Sequence, residues 1–398
     1  MRILLVNTLY PPVVVGGAEV SVSLLAESLA SMGHHVATVC LNKEPHLSVD
    51  EVNGVRVYRV PLDNIYWPFG QPEKPALLDR LKWHLGDTWN RKAARRFGRI
   101  LDIEKPDVVH TNNLTGFSVS LWSEANRRDI RIVHTLRDYS LTCKRSTLFK
   151  NGAACERRCP ACATMTAPYL YASRLVDVVA SNSRFVLDTH HRLGYFSRTP
   201  DKVIFNIADI RDSVPIARPS GDDLVFGFIG RIEAEKGIDI VLKAVDLLPD
   251  AGWRLKIAGA GADPYVNNLK ARHRTDRIEW VGFANAREFY ASIDVCLISS
   301  VWPEPLPRTL IESISNGCAT ICSTAGGIPE ISGMSALIGS YEARDHRRLA
   351  ELMAKSISEA PRWKERQPIQ SGFKEQFSPE AISRQYLAIY TAENESSF

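Results

Sequence analysis

The sequence predicts an α/β protein built from two doubly wound parallel-sheet domains that face a central cleft. Three observations carry that prediction. Short β-branched runs alternate with helical patterns, the alternation stops and restarts at one Pro-containing connector, and 398 residues suit two domains of roughly 100 to 200 residues each. The domains are expected at residues 1–206 and 223–377, joined by a linker at 207–222 and followed by a last helix at 378–398.

In the first half the strand candidates are "RILLVN", "HHVATVCLN", "VRVYRV", "DVVHTN", "RIVHTL", "VVASN" and "KVIFN". Helical patterns lie between them, which implies parallel βαβ units. After the connector "ADIRDSVPIARPSGDD" the same order restarts with "LVFGFIG", "WRLKIAGAG", "IEWVGF", "DVCLISS", "ATICST" and "ALIGS". Ligands in such sheets sit beyond the carboxyl ends of the strands. The last helix, "SPEAISRQYLAIYTAEN", opens with Ser378 as N-cap and Pro379 at its first position, and is expected to pack back onto the first domain. One segment departs from the pattern. Between Pro61 and Lys105, Trp67, Pro68, Phe69, Trp83 and Trp89 precede the basic stretch "NRKAARRFGRI". It reads either as a surface that meets an anionic bilayer or as a domain helix with a solvated basic face.

Composition narrows the class. Hydrophobic residues at 45% and charged residues at 24% exclude a disordered or collagen-like chain. "MRILLVN" reads as a first strand because Pro11, Pro12 and a glycine pair follow it, with no cleavage site. No apolar run approaches the roughly 18 residues of a membrane span. Eight cysteines without a leader point to a reducing cytoplasm. Residues 1–200 hold 26 Lys and Arg against 18 Asp and Glu, or +8, so the remainder of the +4 chain carries 4 − 8 = −4. A basic half suits an anionic partner, and diffuse solvated charge is the alternative.

The motifs point to phosphate. In "FIGRIEAEKGIDIVLKAVDLLP", Gly230 ends a strand and Arg231 and Lys236 flank the start of a helix whose apolar positions include Ile238, Val241, Leu242 and Val245. Backbone N–H groups, helix dipole and fixed cations all favour a bound phosphate there, although a surface Arg and Lys beside a tight turn would look the same. Gly16 and Gly17 follow the first strand and open another amphipathic helix, letting a ligand approach the backbone closely. No G-x-G-x-x-G follows that strand and no G-x-x-x-x-G-K-[ST] loop exists, which weighs against a nicotinamide enzyme and against the usual nucleoside-triphosphate hydrolase. In "SSVWPEPLPRTLIESISNGCATICSTAGGIPE", Glu304 falls in a loop and Glu312 in a helix that Pro307 can enter and Gly317 ends.

Together "GGAE", "GRIEAEKG", "AGAG", "VGF", the Glu304 to Glu312 spacing and "STAGGIPE" resemble the retaining glycosyltransferases of GT-B architecture, family 4 type, the glycosyl transferases group 1. The resemblance covers nearly the whole chain. It implies two Rossmann-like domains, an acceptor-binding one first and a nucleotide-sugar-binding one second. It implies that Glu312 accepts hydrogen bonds from the donor ribose and that Glu304 approaches the donor sugar, tasks that suit the paired acceptor oxygens of a carboxylate. Gly17, Arg231, Lys236, Gly259, Gly261, Phe283, Leu306 and Arg308 complete the implied donor site. Arg231 and Lys236 would stabilise the departing nucleoside diphosphate without a catalytic metal.

Two departures from the family pattern follow. Where relatives often carry a Phe-Gly pair after the first glutamate, this chain has Pro305, Leu306, Pro307 and Arg308, so two backbone donors are missing. Where relatives often carry a histidine, Arg137 stands before Asp138, and a guanidinium cannot act as a base. Arg137 is expected to neutralise phosphate or orient the acceptor, with Asp138 accepting from the incoming hydroxyl. His134, three residues earlier, is expected to be a core imidazole.

Cys143, Cys155, Cys159 and Cys162 form a C-x11-C-x3-C-x2-C run within an insertion near 143–162. It reads as a structural zinc site, with free thiols or a redox-formed disulfide as the alternatives. The expected function is transfer of a hexosyl group from a nucleotide-diphosphate-sugar to a lipid-linked or polysaccharide-precursor acceptor, in cell-envelope polysaccharide biosynthesis. The place is the cytoplasm, at the inner face of the cytoplasmic membrane and in peripheral contact with anionic lipid, with no nucleic acid partner. A GT-B nucleotide-sugar epimerase and a noncatalytic nucleotide-sugar sensor are the alternative readings.

Overall fold

The structure, a computed structural model, describes residues 1–70, 75–208 and 221–392. Most of the expected 207–222 linker lies outside the described residues. The chain divides into two compact units, one of Met1–Leu148, Cys155–Ile207 and Ser378–Phe398, the other of Phe149–Ala154 and Ala208–Phe377.

Sixteen strands follow in chain order among the described residues. They are β1 (Arg2–Val6), β2 (His35–Asn42), β3 (Ser48–Val52), β4 (Val55–Pro61), β5 (Val108–Thr111), β6 (Arg131–Leu136), β7 (Phe149–Lys150), β8 (Ala153–Ala154), β9 (Val178–Ser181), β10 (Asp201–Val203), β11 (Leu224–Ile229), β12 (Trp253–Ala258), β13 (Ile278–Gly282), β14 (Val295–Ile298), β15 (Ala319–Ser323) and β16 (Ile338–Tyr341). The first sheet runs β10-β9-β6-β5-β1-β2-β4-β3. Its pairs are parallel except β3 against β4, an antiparallel edge that the expected all-parallel grammar did not include. β7 and β8 form a separate hairpin. Both hairpins turn on Asn-Gly, with positive φ at Asn53 and Gly54 and at Asn151 and Gly152, the conformation a tight two-residue hairpin demands.

The core of the first unit joins strand residues Ile3, Leu5, Val108 and Val133 to Val22, Leu25 and Leu29 of the helix Gly17–Ser31. The helix Pro379–Thr391 adds Ile382, Tyr386 and Tyr390 to that same core. Ser378 caps it, its side chain accepting from Ala381 N at 3.2 Å. Tyr390 OH lies 2.6 Å from His110 Nδ1, and Ser383 Oγ lies 2.9 Å from Ser28 Oγ.

The second sheet is parallel throughout, in the order β13-β12-β11-β14-β15-β16. Strand order reverses between β11 and β14, the topological switch point of a doubly wound sheet. In the first sheet the reversal lies between β1 and β5.

Asp87, at the end of the helix Leu77–Thr88, supports the loop after β5: its Oδ1 accepts from Gly116 N at 2.7 Å. Burial pushes its carboxyl up from 3.8 to about 7, against the Gly116 hydrogen bond that pulls it down. The folded protein therefore keeps a proton that the unfolded chain has already lost, and the stability tied to this group falls as pH rises from 3.8 to about 7. Asp87→Asn should flatten that stretch of the stability curve, measured by urea denaturation across pH; an unaltered slope would assign the titration to another group.

Candidate active site

At the switch point of the second sheet, the loop leaving β11 carries Gly230, Arg231 and Lys236, and the loop leaving β14 carries Ser299 to Pro307. The two loops are joined by polar contacts. Lys236 Nζ lies 2.7 Å from Glu304 Oε2 and 5.1 Å from the centre of the Trp302 ring. The same carboxylate oxygen accepts from Ser300 Oγ at 2.8 Å and from Trp302 Nε1 at 2.6 Å. Glu304 is only 5% exposed, so its charge is compensated by one cation and two neutral donors instead of by water. Among the described residues no donor meets Oε1. Ser299 Oγ donates to Lys236 O at 2.9 Å, and Val301 N donates to Glu235 O at 2.9 Å, fixing one loop against the other.

Close approach is what the glycines permit. Gly237 has φ 74°, and a Cβ there would stand 1.8 Å from Ser299 O. Gly326 has φ 62°, and its Cβ would stand 2.1 Å from Glu304 O. Gly327 N then donates to Glu304 O at 2.8 Å. The "AGG" turn thus backs the main chain of Glu304 itself.

Arg231 is not joined to this cluster. It pairs with Glu233 at 2.5 Å and is 42% exposed. Burial pushes the Glu233 carboxyl up while Arg231 pulls it down. Glu312 sits in the helix Arg308–Ser315, with Arg308 Nη2 3.1 Å from Oε1 and Tyr290 OH 3.2 Å from Oε2. Pro307 stands at the N-cap of that helix and not within its first turn, and Leu306 is buried. Gly259 N donates to Gly282 O at 2.7 Å, so this N–H is engaged within the fold, and Gly261 packs against Ile232 O. Phe283 is 95% exposed just after β13.

The first unit has its own polar cluster at strand ends. Arg137 donates through Nε to Asn112 Oδ1 at 2.7 Å and through Nη1 to Asn206 Oδ1 at 2.8 Å. Asp138 accepts from Asn113 Nδ2 at 2.9 Å and from Ser140 N at 2.7 Å. Burial nevertheless pushes its carboxyl upward. His134 is a buried core imidazole, 2.9 Å from Thr111 Oγ1, and burial lowers it to about 3. Gly17 is the first residue of its helix, and Glu19 folds back so that Oε2 accepts from Gly16 N at 2.8 Å. Arg59 pins the preceding loop by donating to Pro11 O at 2.6 Å.

The cysteine run does not assemble as a tetrahedral set. Cys159 caps the helix Pro160–Met165 and Cys162 lies within it, while Cys155 is tied to the hairpin base through its N–H to Leu148 O. No cysteine of the described residues is in a disulfide, and among those residues no group of three or more His, Cys, Asp or Glu is placed to hold a metal ion. Burial, with the neighbouring Cys159 thiol, pushes Cys162 up to about 11.

Sequence reasoning passed over Ser300 and Trp302, which hold Glu304, and the asparagines that hold Arg137 and Asp138. Trp302 carried a signal: an indole donor two residues before a loop glutamate, in a segment too proline-rich for a strand.

A fold and a switch-point cluster of this kind define a class, and comparison with known proteins supplies it. Residues 16–205 match the glycosyl transferase 4-like domain and residues 209–373 match glycosyl transferases group 1. A protein of the cps region of Klebsiella pneumoniae, described as an uncharacterized 42.6 kDa protein, is 34% identical over 83% of this chain and 87% of its own. Glycogen synthase of Mycobacterium tuberculosis is 28% identical over 99% of this chain and 96% of its own. The crystal structure of Anabaena HepE in complex with UDP and glucose superposes with a TM-score of 0.71 at 17% identity, over 99% of this chain and all of that one. The chain belongs to the group 1 glycosyl transferases and has the GT-B type of fold, with two Rossmann-like sheets.

Gly237→Ala should destabilise the second unit by roughly 2–4 kcal/mol, because a left-handed φ and a backbone overlap must both be relieved. Urea denaturation measures this. A loss below about 1 kcal/mol would show that the two loops separate easily.

Proposed function

We propose that the protein transfers a hexosyl group from a nucleoside-diphosphate sugar, with retention of anomeric configuration, to a lipid-linked or polysaccharide-precursor acceptor. The observation that carries this reading is the buried Lys236–Glu304 pair at the switch point of a group 1 glycosyl transferase. Breaking the sugar to phosphate bond builds negative charge on the diphosphate, and preorganised cations stabilise it. Lys236 and Arg231 fill that role. Glu304 keeps Lys236 in place through Oε2 and offers Oε1 to a sugar hydroxyl. Glu312, oriented by Arg308 and Tyr290, accepts from the ribose.

The loops at Gly259, Gly261 and Phe283 hold the nucleoside side of the donor, Leu306 and Arg308 bound its sugar, and Gly17 offers a backbone approach to its diphosphate. Arg137, anchored by two asparagines, orients the acceptor. Asp138 receives the proton of the incoming hydroxyl, its raised pKa making it a better base than an exposed carboxylate. The activity serves cell-envelope polysaccharide assembly at the cytoplasmic face of the membrane. Anionic lipid there meets Arg91, Lys92, Arg95 and Arg99, which are exposed along the helix Arg91–Glu104. Among the described residues no helix is long and apolar enough to cross a membrane. The comparisons do not favour the epimerase or sensor readings.

Incubation with a panel of nucleotide sugars and cell-envelope lipid extract should release nucleoside diphosphate. Arg231→Ala should lower that rate on the order of a hundred- to thousandfold, with a stability loss within about 1 kcal/mol, since its own guanidinium is 42% exposed while the Glu233 carboxylate it pairs with is partly buried. Lys236→Ala should lose both activity and stability, since it strands a buried carboxylate. Full turnover in Arg231→Ala, or an inverted anomer in the product by NMR, would sink the mechanism.

A further inference from the structure

The helix Leu77–Thr88 has two faces with opposite tasks. On one, Trp83, His84, Asp87 and Thr88 line a solvent-open pocket with a cavity volume of about 60 Å³. On the other, Leu77, Leu78, Leu81 and Leu85 are 79%, 68%, 46% and 59% exposed, and Trp89 continues the stripe at 40%. Positions 77, 81 and 85 recur every four residues, so the leucines form one continuous band. A soluble surface gains nothing from such a band, which marks a site of contact. The next helix, Arg91–Glu104, exposes Arg91, Lys92, Arg95 and Arg99 at the same spacing. Apolar stripe and cationic stripe in succession fit the interface of an anionic bilayer.

The pocket is cationic. Lys144 lines it and makes no ion pair among the described residues; burial lowers its ammonium, Cys162 and Cys159 offset part of that, and the Arg80 charge lowers it again. His84 is brought to about 4 by burial, then by Lys144 and Arg80, so it is neutral near pH 7. Asp87 is the one carboxylate among the lining residues, and its Oδ1 is already engaged by Gly116 N. Hydroxyls of Thr88 and Ser140 and the rings of Trp83 and Tyr169 complete a lining suited to a polar head with some apolar surface. Ser140 and Leu141 also line a smaller neighbouring pocket that contains Asn113, Arg137 and Asp138.

We propose that the acceptor is an amphiphile with a phosphate-bearing head, its phosphate held by Lys144 and its hydrocarbon tail lying along the exposed leucines in the bilayer. This rests on the transferase reading and names the acceptor class for it. The saccharide next to the phosphate then reaches through the Ser140–Leu141 boundary toward Asp138, while the helix Leu77–Thr88 seats the pocket at the membrane surface.

The test is vesicle flotation of the full-length protein without donor. Vesicles are phosphatidylcholine alone, or phosphatidylcholine mixed with phosphatidylglycerol, with a long-chain polyprenyl phosphate, or with the matching polyprenol. Wild type should bind the phosphatidylglycerol and polyprenyl phosphate vesicles, and prefer the latter at equal charge. The double variant Leu81→Glu, Leu85→Glu should lose at least about tenfold in binding to both, since two leucines leave the apolar phase. Lys144→Gln should keep its phosphatidylglycerol binding and lose the polyprenyl phosphate preference by roughly tenfold, as expected for a charge-assisted contact.

Unchanged flotation of the double variant, equal binding of polyprenol and polyprenyl phosphate, or an unaffected preference in Lys144→Gln would overturn the proposal. So would a wild-type dimer in lipid-free solution, by sedimentation velocity, that the two glutamates dissociate, because the leucines would then belong to a second copy. No donor enters the assay, so failure here leaves nucleotide-sugar turnover to be judged separately.

Discussion

Burial of the Glu304 carboxylate is the constraint around which the second unit is arranged. A carboxylate removed from water costs several kcal/mol unless donors replace its hydration, and three converge on one of its oxygens. Supplying them requires the β11 loop to deliver Lys236, the β14 loop to deliver Ser300 and Trp302, and the turn after β15 to back the main chain. That convergence sets where glycine must stand. The site is therefore organised before any ligand arrives, which is the condition under which fixed charges stabilise a developing one without reorganisation.

The first unit follows a different logic. Its strand ends are held by neutral amides: Asn112 and Asn206 grip a guanidinium, and Asn113 grips a carboxylate. Amides impose direction without adding charge, while burial raises the Asp138 carboxyl. The histidines of the same sheet do no such work. His110 and His134 are enclosed by hydroxyls and aromatic rings and stay neutral because burial penalises the imidazolium.

Much of this was legible in the sequence because parallel sheets buried on both faces write themselves as unbroken apolar runs. Each of the thirteen runs read as a strand overlaps one of the observed strands. The strands that escaped, β3 and the β7–β8 pair, are short or carry charged residues, and their pairing is set by Asn-Gly turns that are themselves a sequence signal. In the candidate site, Glu304, Glu312, Arg231 and Lys236 stood out by residue type and spacing. Trp302 and the three asparagines did not, since their importance comes from which side chains the fold sets beside them. The cysteine run shows the converse: spacing alone suggested a tetrahedron, but among the described residues no three candidate ligands are placed to hold a metal ion.

The helix Pro379–Thr391 completes the core of the first unit with residues made after the second unit. Ser383 meets Ser28 across 355 positions of chain, and Tyr390 closes over His110. On the ribosome, the amino-terminal sheet must therefore wait with an apolar face unsealed while the whole second unit is synthesised. The order of translation makes the second Rossmann unit the first that can finish folding, and gives the nascent chain a long interval in which a chaperone has something to hold.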